Sequence, residues 1–152
     1  MSTTSPAGPA FDPSGQYRID PETLGAQGRS FAVLLLHRRC ASCWGTLLQQ
    51  PAQGLDIEAE EHLEQVQAHC ASAPDFIHSA LPVMETLFRI LLASGNQPMT
   101  AEELHVALRE RWADPSNSRV PAPEAVARLL SRDAFYGIRP VSAPEGGRRS
   151  PA

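Results

Sequence analysis

The sequence predicts a mainly α fold: an N-terminal helical hairpin followed by three short helices and one short strand. Three observations carry this. Apolar residues recur at spacings of three and four through most of the chain between Arg29 and Leu130. Breaks suited to helix ends fall at Pro51, Pro74 and Gly95-Asn96. The stretch Met99-Thr100-Ala101-Glu102-Glu103-Leu104 has the pattern of a capping box, in which Thr100 and Glu103 satisfy each other's backbone N–H groups and Met99 staples onto Leu104.

The elements follow in order. Residues 1–28 are rich in Pro, Gly, Ser and Thr and read as a disordered tail, because they offer too little apolar surface to offset the entropy of ordering. From Arg29 to Gln50, Val33, Leu36, Cys40, Cys43 and Leu47 lie on one helical stripe, with Ser30 as N-cap and Pro51 as stop. A competing reading makes Phe31 to Leu36 a strand, with a helix starting near Cys40; a six-residue apolar run fits both. After a turn at Gln53-Gly54, Asp56 caps a second helix to about Ala71, with Ala59, Leu63, Val66 and Cys70 inward and Glu58, Glu60 and Glu61 at its positive end. The two segments form an antiparallel hairpin over 29–73. A second unit covers 74–142. Pro82 opens a helix to Ser94 with Val83, Leu87, Ile90 and Leu91 inward. The capped helix follows with Leu104, Ala107, Leu108 and Trp112, and Pro123 opens a third helix bearing Val126, Leu129 and Leu130. Phe135 to Val141 reads as a strand, and residues 143–152 as a second disordered tail. Three helices closed by a strand read as a helix-turn-helix of the winged type, so the second unit is expected to be a small winged-helix-like domain.

At 152 residues the chain has the length of one domain, or of a small domain with an appendage. All 13 basic residues are Arg, which excludes a lysine Schiff base, a phosphate-loop lysine or a lysine general base. Together with abundant Ala and Pro this suggests a GC-rich, bacterial coding sequence. Up to Ala73 there are 8 acids against 4 arginines, so this half carries the whole net charge of −4; the remaining 9 acids and 9 arginines cancel. A strongly basic nucleic-acid footprint is absent. The longest apolar run, Phe31 to Leu36, is far short of the roughly 18 residues of a membrane span. No secretion signal is visible, and three cysteines cannot all pair within one chain, so a reduced cytoplasmic setting is expected.

The second half resembles the HARE-type winged helix found in the delta subunit of bacterial RNA polymerase. The likeness rests on Leu87-Phe88-Arg89-Ile90-Leu91 leading to Gly95, then Pro98-Met99-Thr100, Glu103-Leu104 and finally Phe135 to Ile138. Only one strand follows the third helix, where a wing needs two. The resemblance implies association with DNA or with a protein of the transcription machinery. On the third helix, Glu124, Ala127, Arg128, Ser131 and Arg132 are the residues placed to face a groove, with Arg128 and Arg132 four apart on one face. Arg119 and Arg139 supply backbone contacts from the flanks.

Cys40-Ala41-Ser42-Cys43 invites a metal or redox reading. A zinc site needs about four ligands. If the hairpin turns near Gln53, His37 lies level with His69 and Cys40 with Val66, so His37, Cys40, Cys43, His69 and Cys70 approach one another. His69 and Cys70 are neighbours on a helix, which argues against both ligating one ion. All three cysteines also fall on apolar stripes, where free Cys behaves as a small buried hydrophobe. The sequence therefore favours a non-enzymatic regulatory or adaptor protein without cofactor or metal. The alternatives are a zinc-binding structural protein using Cys40 and Cys43 with His37 and His69 or Cys70, and a thiol redox protein using Cys40 and Cys43.

Overall fold

A computed structural model describes residues 12–112 and 120–141. The fold is mainly helical, with a small antiparallel sheet. Strand β1 (Gln16–Ile19) and helix α1 (Pro21–Ala26) come first, then α2 (Phe31–Leu36), α3 (Ala41–Leu47) and α4 (Ala59–Ala68), which runs into a 3-10 turn at Cys70–Ser72. Helix α5 (Val83–Ala93), strand β2 (Met99–Thr100), α6 (Ala101–Arg111), α7 (Pro123–Ser131) and β3 (Ile138–Pro140) complete it. No described helix is long and apolar enough to cross a membrane.

The start and stop residues act as their chemistry dictates. Ser30 Oγ accepts from the Val33 N–H at 3.2 Å and opens α2. At α6 the Glu103 N–H donates to Thr100 Oγ1 at 3.1 Å, and the Thr100 N–H donates to Glu103 Oε1 at 2.8 Å. A cap of this kind contributes about 1 kcal/mol. Helix α5 ends as the Gly95 N–H bonds to the Leu92 carbonyl and the Asn96 N–H to the Leu91 carbonyl. Gly95 takes φ +74°, the left-handed geometry such a stop requires.

Residues 12–28 depart from the expected tail, because they hold β1 and α1. Strand β1 is the middle of the sheet, order β2-β1-β3, pairing Tyr17 with Met99 on one side and Ile19 with Ile138 on the other. Asn96 extends the pairing with its side chain: Oδ1 accepts from the Ile19 N–H and Nδ2 donates to the Ile19 carbonyl, both at 2.8 Å. An amide offering one donor and one acceptor completes a strand edge as a backbone unit does. The sheet thus gains two strands beyond the one expected.

The long first helix is broken in two. Residues 37–40 interrupt it, with His37 as C-cap of α2 and Cys40 as N-cap of α3, so the helical reading of 31–36 and the helix start near Cys40 both hold. The next helix begins after Glu58 rather than Asp56, and ends at Ala68 rather than Ala71. One hydrophobic core runs through both halves, joining Leu35, Leu47 and Val66 to Phe88, Leu91, Leu104 and Ile138. The boundary expected at 73/74 therefore does not separate two cores.

A nearly buried ion network ties the halves together. Glu85 on α5 accepts Arg38 Nε and Nη2 at 2.8 and 2.9 Å, Arg89 Nε at 2.7 Å and the Tyr136 hydroxyl at 2.9 Å. Burial pushes the Glu85 carboxyl up, but the hydrogen bonds from Arg38 and Arg89 outweigh it and hold the pKa down to about 2. Tyr136 is pushed up to about 12 by burial and by donating to that carboxylate.

Candidate metal centre

The site forms where two helix interruptions face each other. Cys40 adopts extended geometry as the N-cap of α3, which places Cys43 one turn later. Opposite, α4 stops at Ala68; His69 has φ −133° and ψ −58°, outside helical geometry, before Cys70 enters the 3-10 turn. That kink answers the objection from helical spacing. Two consecutive residues on an unbroken helix diverge by about 100° (3.6 residues per turn), whereas here both side chains reach one point.

The ligand atoms of Cys40, Cys43, His69 and Cys70 all lie within 4.8 Å of one another. His69 Nδ1 is 3.4 Å from both Cys40 Sγ and Cys43 Sγ, and Cys43 Sγ is 3.5 Å from Cys70 Sγ. Bond lengths of about 2.0–2.3 Å to a tetrahedral zinc imply ligand–ligand edges of roughly 3.5–3.8 Å. Those three separations are close to such edges, and all are far above the ~2.05 Å of a disulfide. All three cysteines are free and buried, whereas His69 is exposed and closes the solvent side.

The backbone favours anionic sulfur here. The Cys40 N–H donates to Cys70 Sγ at 3.2 Å. Burial pushes the Cys40 thiol up, but the Cys43 amide and the Cys70, Cys43 and His69 side chains more than offset it, bringing the pKa to about 7. Burial pushes the Cys70 thiol up as well, and here it prevails, to about 12; the Cys40 amide opposes this and the neighbouring thiols add to it. Such a cluster cannot ionise fully without a cation at its centre.

A supporting layer holds the site's outer wall. His62, fully buried on α4, faces the Gly54 carbonyl through Nε2 at 3.2 Å and Arg39 Nη1 through Nδ1 at 2.8 Å. A neutral ring with its proton on Nε2 satisfies both partners. Burial and the Arg39 charge lower its pKa, against the Gly54 carbonyl, and so favour that neutral form. Gly54 has φ +89°, and a Cβ there would come within 2.7 Å of Leu36 Cδ1, so the turn between α3 and α4 accepts only glycine without a shift in its neighbours.

Of the residues expected at the metal, Cys40, Cys43, His69 and Cys70 converge. His37 does not: the break after α2 leaves it exposed and outside the cluster. Arg128, Ser131 and Arg132 are exposed at the outer face of α7, and Arg139 is exposed on β3. Ala127 is a correction, because it is buried with Val126 and Leu130 and faces the core rather than a groove. Arg119 lies outside the described residues. Sequence reading missed Arg39, His62 and Glu85 as organising groups; only the four-residue spacing of Glu85 and Arg89 was a usable signal. Comparison with protein-family models, curated proteins and solved structures finds no match to this chain.

Proposed function

We propose that the chain is a non-enzymatic zinc-binding protein, in which Cys40, Cys43, His69 and Cys70 clamp α3 to the end of α4. The observation that carries this reading is the convergence of four ligand atoms of the right types within 4.8 Å. Three thiolates and an imidazole suit zinc, and four protein ligands make a closed structural centre rather than one with a position open for catalysis. Elemental analysis of the chain purified without added metal is expected to find about one zinc per chain, as a four-ligand centre requires. Cobalt substitution should give a thiolate-to-metal charge-transfer band, absent from the Cys43→Ser variant. A stable chain without stoichiometric metal, whose thiols react only on unfolding, would return the cysteines to simple apolar packing.

A second reading, docking on DNA or on a protein of the transcription machinery, is supported by the sheet. The order helix, strand, helix, helix, strand from α5 to β3 follows the winged-helix pattern, with β1 supplying the further strand. The exposed pair Arg128 and Arg132 is then the working surface. An Arg128→Ala, Arg132→Ala double variant should keep its urea midpoint within about 0.5 kcal/mol of wild type and lose affinity for duplex DNA. Its salt slope should fall by about two phosphate contacts. Wild-type affinity in the folded double variant would remove α7 from this role.

A further inference from the structure

On the other side of Arg39 lies a separate pocket of about 270 Å³, and its wall is rich in hydrogen-bond donors. Arg38, Arg39, Arg89, His37 and His78 line it, and Asp75 is its one acidic wall residue. The arginines are held in place by groups that cancel only part of their charge. Arg38 and Arg89 share the single carboxylate of Glu85, so that triad keeps one positive charge. Arg39 is bonded to the ring of His62, which is neutral, and adds a second positive charge; Asp75 then leaves one net positive charge in the wall.

The geometry also fixes the donors. Arg38 Nη1 is bound to the Leu34 carbonyl and Arg89 Nη1 to the Phe76 carbonyl, so neither guanidinium must be ordered when a ligand arrives. His78 Nδ1 accepts from the Ala80 N–H, which leaves the proton of the neutral ring on Nε2 as a donor. Arg39 Nε is buried and has no hydrogen-bond partner among the described residues. A buried charged N–H without an acceptor costs more than a neutral one, and it belongs to a residue that walls this pocket and the cleft beside it.

The geometry points to this pocket as a binding site for a small dianionic phosphate, free or as a monoester. Guanidinium N–H groups match phosphate oxygens; Glu85 takes the Nε edge of Arg38, which keeps one hydrogen on each Nη atom beyond its bonds to Glu85 and Leu34, and Arg89 keeps both hydrogens of Nη2. The site shares no charged group with the surface of α7; Cys40 also lines it, so the pocket borders the proposed zinc centre, but none of the donors named here is a metal ligand.

The test is calorimetric titration of the full chain as purified, in chloride buffer at constant ionic strength, with inorganic phosphate, glycerol 3-phosphate and acetate in separate arms. Saturable phosphate binding is expected, with Kd on the order of 1 mM or tighter, and none for acetate. Asp75→Asn removes the opposing charge from an exposed position and should tighten phosphate binding several-fold. His37→Ala with His78→Ala, both exposed, should weaken it several-fold while circular dichroism is unchanged. Arg39→Gln should abolish it. Binding of glycerol 3-phosphate identifies an ester as an admissible ligand, and its exclusion assigns the pocket to free phosphate. Absence of saturation, equal affinity for acetate, or affinity unchanged in both Asp75→Asn and the histidine double variant would overturn the assignment.

Discussion

Cys70→Ala is expected to strip the metal from the chain and to destabilise it by several kcal/mol. The size separates two roles for the same side chain. A fully buried cysteine that only packs loses about 1 kcal/mol on conversion to alanine. A ligand carries its share of the centre, and structural zinc contributes about 10–16 kcal/mol to the folding of small zinc domains at neutral pH. A core that reaches from Ile19 to Ile138 keeps part of the structure folded without the metal, so the loss here should be smaller than in those domains. Urea unfolding with and without a chelator is the measurement. Wild type should shift to a lower midpoint on chelation, and Cys70→Ala should already be there and not move. The zinc-dependent part must also fall with pH, because each thiolate ligand exchanges its metal for a proton as acidity rises. Equal midpoints for wild type with and without chelator would sink the structural role.

Glu85→Ala is expected to cost about 3 kcal/mol at neutral pH, since it leaves Arg38 and Arg89 largely buried without their shared counter-charge. The pH dependence identifies the cause. The folded carboxyl has a pKa of about 2, below its ordinary value of 4.5. A depressed carboxyl stabilises fully above its unfolded pKa, and the contribution disappears as pH falls through the folded one. Wild type should therefore lose stability from about pH 4.5 down toward pH 2, and the variant should lose less over that range. Urea midpoints measured on chelated samples at a series of pH values keep the zinc contribution out of the comparison. Parallel curves for the two proteins would show that Glu85 acts through packing alone.

Much of the helical framework was legible because its signals are local. Ser30, Thr100 with Glu103, Gly95-Asn96 and the apolar stripe of α5 each work within a turn or two of chain. Strand β1 was not legible for the opposite reason. Gln16-Tyr17-Arg18-Ile19 carries two apolar side chains, and everything that makes it a strand comes from partners at residues 99–100 and 138–140. The metal cluster was half legible. Cys40 and Cys43 announce themselves by spacing, and Cys70 with His69 was within reach of a hairpin argument. The choice of His69 over His37 depended on breaks at residues 37–40 and at His69, neither of which has a glycine or proline to mark it. An ideal hairpin drawn on straight helices sets His37 and His69 level; two kinks undo that.

The middle position of β1 also governs the order in which the molecule can assemble. The strand comes before every helix among the described residues, yet both of its neighbours lie far along the chain, with β3 near the last described residue. Helices α2 to α7 can fold by contacts among themselves, but the sheet closes only when Ile138 to Pro140 return to the first strand. Contacts of such long range raise the loop-closure cost of the folding transition and slow it relative to a bundle of the same helices. Until then the side of β1 from Tyr17 to Ile19 that takes β3 is an unpaired edge, and the interval in which this chain is open to strand exchange with a second copy is set by its topology.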